Sequence, residues 1–90
     1  MKKSDISSHV ASQASLSKAS ADAAVSAVFG AISDALSREE TVTIAGFGTF
    51  STKRRPARQG RNPRTGESIT IAASIVPSFK AGKGLRDAIG

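Results

Sequence analysis

Apolar residues recur at steps of three and four through the first 37 positions and at steps of two beyond residue 40. The first spacing lines one face of an α-helix, and the second lines one face of a strand. Ile6, Val10 and Ala14 mark a short first helix. Ser4 is its expected cap, and Asp5 is placed to meet the positive helix end. Ser15-Leu16-Ser17 interrupts the pattern, and Ser17 is the next expected cap. From Lys18, the residues Ala21, Val25, Val28, Ile32 and Ala35 form a stripe that Ala24, Phe29 and Leu36 widen. This second helix is expected to end near Ser37 and to supply most of the apolar surface.

Glu40-Thr41-Val42-Thr43-Ile44 then alternates polar and apolar, as a half-buried strand does. Gly46-Phe47-Gly48 supplies a turn, and a second strand begins at Thr49 and runs into a basic segment where Pro56 marks an edge. After a glycine-bounded tip, Ser68-Ile69-Thr70-Ile71 alternates on the return, and Ala72 to Val76 re-enters the body. Pro77-Ser78-Phe79 is expected to lead into a last helix from about Ala81 to Ile89. The pattern predicts an α+β fold: an N-terminal helical pair, a small antiparallel sheet extending into a β-ribbon arm, and a short C-terminal helix. Residues 1–90 read as one domain, with about 55–72 as the protruding arm. A two-stranded ribbon is marginal alone in water, so the arm is expected to be mobile without a ligand.

Composition adds a constraint on assembly. Ninety residues with four Phe, no Trp, no Tyr and no Cys are near the limit for a single-chain core. Disulfides and thiolate metal sites are excluded, and one His builds no zinc site. No metal or other cofactor is expected. Setting the arm aside leaves Phe29, Phe47, Phe50 and Phe79 largely exposed in a monomer. An intertwined dimer covers them across a shared sheet and helix pair, and oligomerisation is a usual remedy for small scaffolds.

Charge is distributed unevenly. Residues 1–52 carry Lys2, Lys3, Lys18 and Arg38 against Asp5, Asp22, Asp34, Glu39 and Glu40, a net of −1. Residues 53–90 carry Lys53, Arg54, Arg55, Arg58, Arg61, Arg64, Lys80, Lys83 and Arg86 against Glu67 and Asp87, a net of +7. Such asymmetry marks a polyanion binder. Six of these cations fall between positions 53 and 64 with no acid among them. There Gly60-Arg61-Asn62-Pro63-Arg64-Thr65-Gly66 suits a hairpin tip, which can lay guanidinium groups along phosphates while a rigid apolar ring presses between base pairs. Asn, Pro and Gly are also ordinary turn residues. It is the flanking Arg61 and Arg64 that favour the binding role.

Other motifs point away from catalysis. Gly46-Phe47-Gly48 is no dinucleotide motif, since Ser51 stands where the third glycine belongs, although the amides of Gly46 and Gly48 are placed to approach a phosphate. Lys80-Ala81-Gly82-Lys83-Gly84 lacks P-loop spacing but offers an anion site at a helix start. His9 has no catalytic company, and no convergent titratable cluster exists, so no enzyme is expected. No apolar run approaches the roughly 20 residues needed to span a bilayer. The start Met1-Lys2-Lys3-Ser4-Asp5 has no apolar core of a secretory signal. A cytoplasmic, nucleoid location is the expectation.

Gly46-Phe47-Gly48-Thr49-Phe50, Arg55, Arg58 and the tip Gly60 to Gly66 together resemble the signature of the bacterial HU/integration host factor family. Val76-Pro77-Ser78-Phe79-Lys80-Ala81-Gly82-Lys83 is similar to its C-terminal block. The resemblance spans essentially the whole chain. It implies an intertwined homodimer, or a heterodimer with a paralogue, whose two arms wrap double-stranded DNA. Pro63 matches the intercalating proline, and Arg55, Arg58, Arg61 and Arg64 match the arm cations. Lys53 and Asn62 belong to the same arm surface, and Lys3, Lys80, Lys83 and Arg86 fall where body cations meet the flanking duplex. Two departures stand out. Ala72-Ala73-Ser74 replaces a frequent Pro-Ala-Ser, and the first half is rich in Ser and Ala and poor in Lys.

The expected function is that of a histone-like architectural protein that binds duplex DNA in the minor groove and bends it, with little sequence preference. A site-specific subunit of the same family is the nearest rival. An RNA-binding module is less well supported, since the chain lacks exposed Tyr or Trp platforms for unstacked bases. No membrane and no small-molecule substrate are expected.

Overall fold

Helix α1 spans Lys3–Gln13 and starts one residue before Ser4, which is therefore not its cap. The Lys2 backbone N–H donates to the Asp5 carboxylate at 2.7 Å. The acid thus satisfies an otherwise free helix-end donor and sets the boundary. Ser17 does cap helix α2, Lys18–Ser37, accepting the Ser20 N–H at 3.1 Å. A Lys18–Asp22 ion pair of 2.8 Å follows in its first turn. The Lys18 ammonium first, and the Ser7 hydroxyl second, hold the Asp22 carboxyl below its usual range.

The computed structural model describes residues 1–90, and its five strands follow α2. They are β1 Val42–Ile44, β2 Gly48–Arg55, β3 Arg58–Arg61, β4 Ser68–Ile71 and β5 Ser74–Ala81, with α3, Lys83–Ile89, closing the chain. The body sheet is antiparallel in the order β1-β2-β5. Phe50 faces both Val42 and Phe79 across its two ladders. β3 and β4 form a separate antiparallel ribbon.

Pro77 and Phe79 therefore belong to a strand rather than to the approach of the last helix. Pro77 lies opposite Thr52 on β5, an edge strand of this chain's sheet, where a missing N–H is tolerated. The first strand is shorter than expected, beginning at Val42, and α3 begins two residues later than expected.

Ribbon and body share one register. Arg55 faces Ser74 at the end of the body ladder, and Arg58 faces Ile71 at the start of the arm. The intervening pairs, Pro56-Ala57 and Ala72-Ala73, match residue for residue but lie outside both ladders. Pro56 has no N–H to give, so the ladder breaks there without a bulge. The arm is thereby set off from the body at a point both strands share.

One chain has little core. Of 90 residues only Ser7, Ala21, Val25, Ala35 and Gly48 are buried. Phe29, Phe47 and Phe79 are each more than two-fifths exposed, whereas Phe50 is half-buried between its neighbours. The radius of gyration is 18.8 Å, against about 12 Å for a globule of this length. Helix α2 is long and apolar enough, by length and composition alone, to cross a membrane, contrary to the sequence expectation. Its polar residues and its packing on α1 and the sheet identify it instead as the central helix of the body.

Gly48 explains how the turn joins the sheet. A Cβ there would lie 2.5 Å from the Phe79 ring and 2.7 Å from the Lys80 carbonyl oxygen. The adjoining loop is tied to the start of α3 by the Gly82 N–H, which donates to the Phe47 carbonyl at 2.7 Å. Gly46, with φ of 77°, occupies the left-handed region that favours glycine.

Candidate nucleic-acid interface

Alternation along β2 and β5 sorts their side chains onto two faces. Phe50, Phe79, Thr52 and Pro77 share the face toward the helices, where Phe50 and Phe79 rings sit 4.7 Å apart. Lys53, Arg55 and Lys80 share the opposite face with Thr49, Ser51 and Ser78. That face is hydrogen-bonding and cationic, as phosphate and sugar contacts require. The serines and threonines were not singled out from sequence; the register of the hairpin is what aligns them with the cations.

The arm is two-faced as well. Arg58 and Gly60 stand opposite Ile71 and Ile69 on one side of the ribbon. A Cβ at Gly60 would lie 2.9 Å from Ile71 Cδ1, so glycine lets the isoleucine fold across the strand. Gln59 and Arg61 lie on the other side, where Gln59 Nε2 donates to Thr70 Oγ1 at 3.3 Å. The isoleucines place apolar surface next to the arm cations, a feature that charge alone does not reveal.

The tip is built on Asn62. Its N–H donates to the Glu67 carbonyl at 2.8 Å, and its carbonyl accepts the Gly66 N–H at 2.7 Å. Its side-chain oxygen accepts the Arg64 N–H at 2.9 Å, an Asx turn that spans Pro63. Gly66 completes the reversal at φ of 74°. Pro63 is left exposed at the apex with Arg64 beside it. Asn62 is half-buried, so its part in the tip is to hold the proline out.

Nine cations were expected at the interface: Lys3, Lys53, Arg55, Arg58, Arg61, Arg64, Lys80, Lys83 and Arg86. Only Lys83 makes an ion pair, with Asp87 at 2.6 Å. The other eight are unpaired and solvent-facing. Lys80 and Lys83 lie on different elements, β5 and α3, so they do not form one site at a helix start. Gly48 is buried, which corrects the expectation of an exposed amide there, whereas Gly46 remains open. Arg54, counted in the basic run, points away to Glu39 at 3.0 Å.

A small α+β body carrying a cationic, proline-tipped β-ribbon is the architecture of a polyanion-binding protein with a reaching arm. The model of the bacterial DNA-binding protein family matches residues 1–90. The chain is 52% identical over 89 residues to DNA-binding protein HU of Staphylococcus aureus, covering 99% of each chain. It is 48% identical over 89 residues to DNA-binding protein HU-beta of Salmonella typhimurium, again covering 99% of each. Among solved structures, an Anabaena HU–DNA cocrystal structure superposes with a TM-score of 0.91 at 43% identity, covering 99% of this chain and 97% of that one. The chain belongs to the bacterial DNA-binding protein family.

Proposed function

We propose that this protein is a histone-like architectural DNA-binding protein, acting as a dimer that grips duplex DNA with two arms and bends it. The observation that carries this is the set of six unpaired cations on the arm, the tip and one sheet face: Lys53, Arg55, Arg58, Arg61, Arg64 and Lys80. No acid of the chain neutralises them, so a polyanion is their natural counterpart. Arg55, Arg58, Arg61 and Arg64 contact phosphates and sugars along the arm, Lys53 and Lys80 do so from the sheet, and Lys3, Lys83 and Arg86 meet the flanks. Such contacts fix position without reading sequence. Pro63 acts as the wedge. That step is taken from the family, which is a standard example of minor-groove bending by apolar insertion. Gly46 gives the backbone close approach, and Asn62 and Gly48 act by holding the tip and the turn. The exposed apolar helix and sheet faces are covered by the partner, either a second copy or a paralogue. The protein works as a single domain and resides in the bacterial cytoplasm on the nucleoid, with no catalytic role.

Because specificity of this kind comes from deformability, a nicked duplex is expected to bind more tightly than an intact one of the same sequence. Gel-shift titrations at several salt concentrations measure this. Both affinities are expected to fall steeply with salt, by about 0.9 in log K per log unit of salt for each phosphate contacted. Equal affinity for both duplexes, or one protected sequence in a footprint, would replace this reading with a site-specific one.

A further inference from the structure

Helix α2 ends in a hydrogen-bonding pattern that strongly prefers glycine at one position, and Glu39 occupies it. The Glu40 N–H donates to the Ala35 carbonyl and the Glu39 N–H to the Leu36 carbonyl, both at 2.9 Å. This is the six-to-one and five-to-two pairing of a Schellman cap, whose left-handed residue is usually glycine. Glu39 has φ of 58°, a conformation that costs energy for any residue with a Cβ. Ser15 ends α1 at φ of 53°, but with a short side chain that makes no hydrogen bond. Glu39 carries a long, charged side chain into the same geometry and places its carboxylate 3.0 Å from Arg54 Nη2.

Arg54 stands apart from its neighbours for the same reason. By alternation it projects from the sheet face opposite Lys53 and Arg55. It is the one cation between positions 53 and 64 with an acidic partner. β1 pairs with β2 only from Gly48 to Phe50. Beyond Phe50 that edge of β2 has no strand partner within the chain, so at that edge no paired strand of its own sheet separates Arg54 from the cationic face.

We infer that Glu39 is a positioning residue that holds Arg54 against the end of α2 and withholds it from DNA. The carboxylate stands in for a phosphate, so the number of cations offered at the base of each arm is set by a residue on a helix rather than by the basic run itself. This inference rests on the DNA-binding function proposed above.

The test compares salt slopes of duplex binding for the full-length protein, with a plain intact duplex as the probe. Arg54→Ala is expected to leave the slope of log K against log salt unchanged, whereas Arg55→Ala lowers it by about 1.8 per dimer, one phosphate from each protomer. Glu39→Gly removes the carboxylate and puts the favoured residue in the left-handed position, so the fold is retained. It is expected to raise affinity at low salt and to steepen the slope by up to about 1.8 per dimer. Glu39→Gln, which keeps side-chain length but not charge, is expected to shift the slope in the same direction. Adding Arg54→Ala to Glu39→Gly returns the slope to that of the unmodified protein. If Arg54→Ala alone lowers the slope as much as Arg55→Ala, or if both Glu39 variants leave it unchanged, Arg54 is not withheld and the inference fails. If the unmodified protein shows no salt-dependent duplex binding, it is the DNA-binding function that fails.

Discussion

Val28→Asp is expected to leave the protein unfolded at micromolar concentration. In the isolated chain Val28 is 56% exposed, and a polar substitution at an exposed helix position ordinarily changes stability by no more than about 0.5 kcal/mol. Val28, however, lies in an apolar groove with Ile6, Val10, Ala24, Val25 and Phe29. That groove is lined only by apolar side chains of the two helices, and with so few residues buried in one chain a partner subunit is expected to cover it. Burying an unpaired carboxylate there costs several kcal/mol in each protomer. A small domain has only about 5–15 kcal/mol to lose. Far-ultraviolet circular dichroism and equilibrium sedimentation check the outcome together. A folded, monomeric Val28→Asp protein would show that the body is complete without a partner.

The second large effect concerns the arm. Replacing Arg58, Arg61 and Arg64 together by Ala is expected to remove three phosphate contacts per arm and six per dimer. The slope of log K against log salt then falls by about 5, and affinity near physiological salt by about a thousandfold or more. None of the three side chains makes an ion pair, and Arg64 enters the tip only through its backbone N–H. Helix content and dimerisation are therefore expected to be unchanged. Filter binding at stepped salt, with sedimentation as the control, separates this from a folding defect. A variant that binds intact duplex as tightly as the parent would move the interface off the arm.

Much of the architecture was legible because its signals are local. The three-and-four spacing from Ala21 to Ala35, with Ser17 before it, placed α2 at its observed start and end. The alternation of Ser68-Ile69-Thr70-Ile71 matched β4 residue for residue. β5 was misjudged because Pro77 reads as a breaker in sequence. Only the pairing with Thr52 on an edge strand shows that nothing is lost by its missing N–H. The cap of α1 was misplaced because Asp5 reaches back to a backbone N–H that no side-chain preference identifies.

The interface divides along the same line. The cations of the arm could be read from charge alone, but their faces depend on register. Gly48 reads as a turn glycine with an open amide, yet it lies under the Phe79 ring, 31 residues further on. Arg54 and Glu39 are 15 positions apart, and their pairing depends on how the end of α2 meets β2. Ile69 and Ile71 look like strand alternation until Gly60 is seen to make room for them.

Fluorescence resonance energy transfer across an end-labelled duplex at saturating protein tests most directly the claim that this protein bends DNA with its arm tip. The unmodified protein is expected to bring the duplex ends closer and raise transfer efficiency. Pro63→Ala, which removes the ring but no charge, is expected to bind with a nearly unchanged salt slope and to raise the efficiency much less. Transfer equal to that of free duplex in the saturated unmodified complex would contradict bending. Transfer as high for Pro63→Ala as for the parent would contradict the wedge.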